Sequence, residues 1–286
     1  MNPVSVVAIC GAALTIGAFA RRPHRRRGTV LRFSVTMASW VALWWATGSS
    51  FAQRGMMNLP DHMISHVIVM FAVPMGLTAG ATLREWAWLV PIGPRRRLLR
   101  WWHVRRRLRV PRVVANAIVA AIVMNVVMVA AHLPRVFDAV MLHNGWMAWG
   151  MEPAFFLSGL FFFHFLIPSW PRRVRTRLRI QFLMVIATMV EMLVVAMSMS
   201  IFTKASWYSV MTMSYMPNMP GMTGTGLSPA AAFQQQQLAA AILWICGDFW
   251  AVPCLVLVIR RLVQRDGSLF AVLERQGKKF APSATS

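Results

Sequence analysis

Residues 3–27 read PVSVVAICGAALTIGAFARRPHRRR, which is 18 residues without a charge followed by five arginines in seven positions. An apolar run of that length crosses a hydrocarbon core of about 30 Å as a helix. Arginines crowding its end mark the cytoplasmic side. Outward from this stretch the same alternation repeats. Seven apolar runs lie near 3–20, 30–52, 62–83, 113–133, 147–168, 178–203 and 238–263. Of the 30 Lys and Arg, only Arg54, Arg135 and Lys204 fall in the second, fourth and sixth connections. The other 27 lie in or beside the first, third and fifth connections and the C-terminal tail. That distribution predicts an all-α, polytopic membrane bundle of seven transmembrane helices, N-terminus outside and C-terminus inside. The seven-helix domain takes residues 1–265, with an inner basic loop at 84–112 and an outer methionine-rich loop at 204–237. Residues 266–286 form a cytoplasmic tail.

A formal net charge of +22 would point to nucleic acid in a water-soluble protein. Here each large basic cluster abuts an apolar run: Arg21, Arg22, Arg25, Arg26 and Arg27 follow the first, and Arg172, Arg173, Arg175, Arg177 and Arg179 precede the sixth. Topology and contact with anionic lipid at the cytoplasmic face account for them, and nucleic acid is not an expected partner. The first run has no Lys or Arg before it, unlike a cleaved signal, and is expected to remain in the mature protein. Cys10, Cys246 and Cys254 all fall inside runs and offer no disulfide framework; Cys10 and Cys254 read as buried structural thiols.

The two long connections differ in chemistry. Between Arg84 and Arg112, Trp86, Trp88, Trp101 and Trp102 alternate with arginines, the composition of a segment lying in the headgroup layer. On the opposite side, Met211, Met213, Met216, Met219 and Met222 are spaced by two or three residues and followed by Gly224, Gly226 and Pro229. Pro and Gly at that density oppose a long helix, so the thioethers are expected on an irregular segment facing water. Thioether sulfur is a soft, neutral ligand suited to Cu(I). The competing reading is that methionine merely packs as an adaptable apolar side chain.

A second constellation opens the third run. His62 and His66 are four apart, which puts them on one helical face where two imidazoles can grip one ion. His132 closes the fourth run on the same side, and His143 follows in the next connection. Each of those two could complete a site or simply sit at the interface. Glu152 and Glu191 are carboxylates inside runs and are expected to face the bundle interior. His103 and His164 belong to the inner side. No nucleophile–base pair, phosphate-cradling glycine loop or carboxylate pair emerges, so the chain does not read as an enzyme.

His62-Met63-Ile64-Ser65-His66 before an apolar run, His132-Leu133-Pro134 with Phe137-Asp138-Ala139, and Gln236-Gln237-Leu238-Ala239-Ala240 leading to Trp244 resemble the CtaG-like (caa-type) cytochrome c oxidase assembly proteins. The resemblance covers about residues 40–262. It implies a multi-pass protein of the bacterial plasma membrane that partners cytochrome c oxidase subunits and is connected with copper supply. It marks His62, His66 and His132 as functional positions. The chain departs from the pattern at Glu152-Pro153, where a Glu-His pair is usual, and at Gln235, where an Asp is usual.

The expectation is thus an assembly factor that binds copper, as Cu(I), at its outer face through His62, His66, His132 and the five loop methionines, and helps supply it to the oxidase. A copper transporter is the alternative; the mostly apolar deep positions favour handling at one face. A retinal photoreceptor is excluded, since its Schiff base needs an intramembrane lysine and the lysines are Lys204, Lys278 and Lys279.

Overall fold

The computed structural model describes residues 2–22, 27–91, 93–94, 97, 116–142, 146–167, 176–214 and 226–266. All regular structure among them is helical. Helix α1 (Pro3–Ala20) starts on Pro3, whose fixed φ suits a first turn, with Asn2 as cap accepting from the Val4 amide at 3.0 Å. It packs on α2 (Arg27–Gly48) at unusually close range. A Cβ at Gly11 would lie 2.6 Å from the Trp40 indole, so glycine lets the ring rest on the α1 backbone. The indole N–H groups of Trp40 and Trp86 both donate to Thr15 Oγ1, at 3.1 and 3.0 Å.

After the short α3 (Ser50–Gly55), the third run forms one long helical rod in three parts: α4 (Leu59–Val67), a π-helical turn (Ile68–Ala72) and α5 (Val73–Ala79). Pro74 has no N–H to return to the preceding turn, and the π turn sits where that bond is lost. The wider turn buries three successive residues, Val69, Met70 and Phe71. Met70's carbonyl faces Gly159, where a Cβ would lie only 2.1 Å from it. Helix α6 (Thr82–Trp86) follows Ala81, which holds a left-handed φ of 55°.

Helix α7 (Ala117–His132) and α8 (Pro134–Leu142) meet at a 70° bend. Pro134 pushes Leu133 out of the helical region, to ψ 129°, which ends α7 at His132. Then come α9 (Trp146–Leu166), α10 (Leu178–Ser200), a 3-10 turn at Ser209–Thr212, and the 38-residue α11 (Pro229–Asp266).

Every one of the seven apolar runs carries a helix. Among the described residues, four helical segments are long and apolar enough to cross a membrane, Pro3–Ala20, Leu59–Ala79, Leu178–Ser200 and Pro229–Arg261, or five with the bent α7–α8 pair counted as one. Leu31, Leu157, Leu183 and Phe249 are turned outward, an apolar exterior that fits lipid better than water.

Two expectations change. The last helix starts at Pro229 rather than near 238, because Pro at the first position and the Ala-rich stretch behind it favour helix, so Gln234–Gln237 belong to α11 and not to the loop. Cys10 is exposed on α1, whereas Cys254 is buried as expected.

The bundle has two chemically distinct ends. At one, Glu85 is held by Arg22 and by Arg32 at 3.0 Å, and Arg21 donates to the Leu89 carbonyl. Gln181 and Arg261 there donate to the last carbonyls of α9, Phe165 and Leu166, which have no partner within their helix. The other end gathers the N-terminus, the start of α4, the α7–α8 bend and the start of α11. Most of the basic loop, including Trp101, Trp102 and His103, and the tail 267–286 lie outside the described residues.

Candidate metal centre

Local sequence fixes the start of α4. Asn58 caps it by accepting from the Asp61 amide, Pro60 stiffens the first turn, and the free Leu59 amide donates to Gln235 Oε1 of α11 at 3.2 Å. Gln235 thus ties two helices together. From this anchor Leu59, His62, Met63 and His66 form one buried stripe at helical spacing.

The sequence-expected histidines do come together. His62 and His66 have ring centroids 4.1 Å apart, and His66 and His132 6.2 Å apart. Phe137 lies edge-on to His62 at 5.3 Å and Phe155 lies 4.5 Å from His66, which walls the group with apolar rings. His132 Nδ1 lies 2.7 Å from the Met128 carbonyl, which can only accept. The proton therefore sits on Nδ1, and the lone pair of Nε2 faces Met63 Sδ at 3.3 Å. His62 Nε2 and His66 Nδ1 are buried without a hydrogen-bond partner among the described residues.

Among the described residues, no group of three or more His, Cys, Asp and Glu is placed to hold a metal ion. Counting sulfur alters the inventory. Nε2 of His132 and Sδ of Met63 are separated by about the distance expected of two ligands that each sit ~2.0–2.3 Å from one ion. Met63 is fully buried and is the functional candidate that spacing arguments on the histidines pass over. The available signal was its position three before His66, which also brings side chains together on a helix.

A cavity of about 300 Å³ opens beside His62 and His66 and is also lined by Met56, Met141, Met151 and Glu152. Glu152 accepts from Asn2 Nδ2 at 2.5 Å, which closes the cavity against the N-terminus. A larger cavity, about 450 Å³, lies toward the arginine end among Trp40, Leu77, Trp86 and His164; its lining is mostly apolar and it contains none of the clustered histidines.

The remaining motif residues hold the site's roof. Asp138 accepts from Ser209 N and Oγ and from Val210 N, fixing the 3-10 turn. Tyr208 donates to the His132 carbonyl at 3.3 Å and packs on Phe137. Burial, with the Asp138 carboxylate nearby, pushes its phenol well above the usual range, so it remains a donor. Gln236 accepts from Trp207 N and donates to the Met199 carbonyl.

This roof revises the methionine loop. Met211 is 3% exposed and part of the core rather than facing water, because Asp138 pulls its turn down onto the bundle; Met213 is half-buried. Met216, Met219, Met222 and His143 lie outside the described residues. Glu191 sits lower on α10, its carboxylate oxygens buried without a partner among the described residues.

Fold and site define a class first: an all-helical protein with membrane-crossing helices and a histidine–thioether cluster at one end. Residues 16–265 match the model of a family described as cytochrome c oxidase caa3 assembly factor, and the chain belongs to that family. Assembly of the oxidase is therefore its setting, and cytochrome c oxidase its partner. No curated protein and no solved structure matches it.

Proposed function

We propose that this assembly factor spans the bacterial plasma membrane seven times, with its N-terminus and histidine end outside, and there holds Cu(I) for supply to the oxidase. It does so without catalysing covalent chemistry. The observation that carries the reading is the meeting of His132 Nε2 with Met63 Sδ beside two buried ring nitrogens, His62 Nε2 and His66 Nδ1, that have no partner among the described residues. Neutral imidazole and thioether bind a soft monovalent ion without losing a proton. The cavity lined by Met56, Met141 and Met151 gives copper an approach through further thioethers. Met211, Met213, Met216, Met219 and Met222 remain in the proposal as auxiliary sulfur, with Met211 acting from within the core.

The 27-to-3 partition of basic residues supports the orientation. It also supports anionic lipid as the partner of the arginine end. Thiol labelling from outside is expected at Thr223→Cys and not at Gly93→Cys; the opposite pattern would overturn the orientation.

The deciding experiment uses a His62→Ala plus His66→Ala variant in cells lacking the native protein. It should insert normally and, purified under reducing conditions, carry little copper. The oxidase should be copper-deficient and inactive while cytoplasmic copper stays near normal. A collapse of cytoplasmic copper would make the protein a transporter instead, and a fully active oxidase would remove the pair from either role.

A further inference from the structure

Asp248 lies on α11 between two fixed polar layers. Twelve residues before it, Gln236 binds Trp207 and the Met199 carbonyl; thirteen after it, Arg261 binds the Leu166 carbonyl. At 1.5 Å per residue those layers are about 18 and 20 Å away, so Asp248 sits at mid-depth of a core about 30 Å thick. It is nevertheless exposed, and its carboxylate makes no hydrogen bond or ion pair with any described residue. It borders a shallow groove of about 120 Å³ between α10 and α11, with Val190, Leu193, Trp244 and Gly247. Above and below it, Ile245, Phe249 and Val252 face outward as lipid-facing residues do. Acyl chains offer a carboxylate nothing, and intramembrane carboxylates persist where a partner satisfies them.

We propose that this groove seats one membrane-spanning helix of the oxidase under assembly, carrying a cationic side chain at mid-depth to meet Asp248. The inference rests on α11 crossing the membrane and is independent of copper binding. Charge complementarity selects the occupant. Among the described residues, the Lys and Arg of this chain lie at helix ends or in connections, so a second copy could bring no cation to the same depth. Gly247, beside the carboxylate, lets a neighbouring backbone come close, as small residues do at helix contacts in membranes.

The test compares full-length Asp248→Leu and Asp248→Asn proteins, extracted in mild detergent from cells making the oxidase, by the amount of identified oxidase subunit that co-purifies. Leucine at a lipid-facing site favours insertion, so the protein should accumulate normally. Co-purification should fall about tenfold with leucine and less with asparagine, which keeps an acceptor. His62→Ala plus His66→Ala should co-purify at the wild-type level, which separates this contact from copper handling. If the leucine variant failed to accumulate, a photo-crosslinker at Val252 in the otherwise native chain decides, and an adduct with an oxidase span is expected. Unchanged co-purification with leucine, or crosslinks to lipid or to a second copy alone, would overturn the proposal.

Discussion

Glu85 and His62 are each 8% exposed and His66 is 7% exposed, at opposite ends of one bundle, yet their surroundings could hardly differ more. Glu85 is gripped by two guanidinium groups from separate parts of the chain. His62 and His66 each keep a ring nitrogen without a partner among the described residues. An unsatisfied buried polar atom costs about 1–3 kcal/mol, so the histidine end forgoes stability that the arginine end secures. The difference teaches that burial alone does not identify a site. A buried polar group whose partners are complete holds the fold together, whereas a buried ring nitrogen without one is a candidate ligand, the role proposed for this end.

The strut joining the two ends should be the most sensitive point. Gly159→Ala puts a methyl group 2.1 Å from the Met70 carbonyl, and backbone cannot yield as a side chain does. A loss of about 3 kcal/mol is expected, read as early thermal unfolding in detergent together with loss of copper binding. Glu85→Ala should cost roughly 2 kcal/mol, less than a fully buried network because Arg32 is partly open to solvent. Cu(I) affinity, measured by competition with a chelator, should be unchanged, and any large drop would undo the separation of the two ends.

Asp138→Ala frees the Ser209–Thr212 turn and should cost about 1 kcal/mol, with faster proteolysis between Lys204 and Gly226. His66→Leu preserves an apolar contact with Phe155 and removes the unpartnered nitrogen. Its stability should stay within about 1 kcal/mol of the parent, or rise, while Cu(I) binding is lost; a destabilisation like that of Glu85→Ala would class His66 as structural. Ala81→Gly, at the arginine end, should stabilise by about 0.5 kcal/mol, since glycine accepts a φ of 55° without strain.

The helices were legible because long apolar runs leave the backbone no other way to satisfy itself in lipid. The His62–His66 contact was legible from spacing, and His132 from its motif. Met63 was not, because its importance depends on a ring 69 positions away. Met211 was misread as facing water because local composition cannot show that Asp138, in another helix, draws its turn inward. Asp248 is not legible because the average hydropathy of α11 masks one carboxylate, and only its orientation makes it unusual.

The length of α11 bears on the mechanics of the bilayer itself. Thirty-eight helical residues extend about 57 Å, of which the apolar stretch 238–259, between the glutamine run 234–237 and Arg260, takes about 33 Å, close to a hydrocarbon core of about 30 Å. In a membrane thinner than that stretch such a helix tilts, and the thinner the membrane the more it tilts. Gln235 and Gln236 fasten α4 and the segment at Trp207 to its upper turns. The height of the histidine layer above the lipid then follows the inclination of α11, which makes membrane thickness a physical variable in how far the site stands from its client.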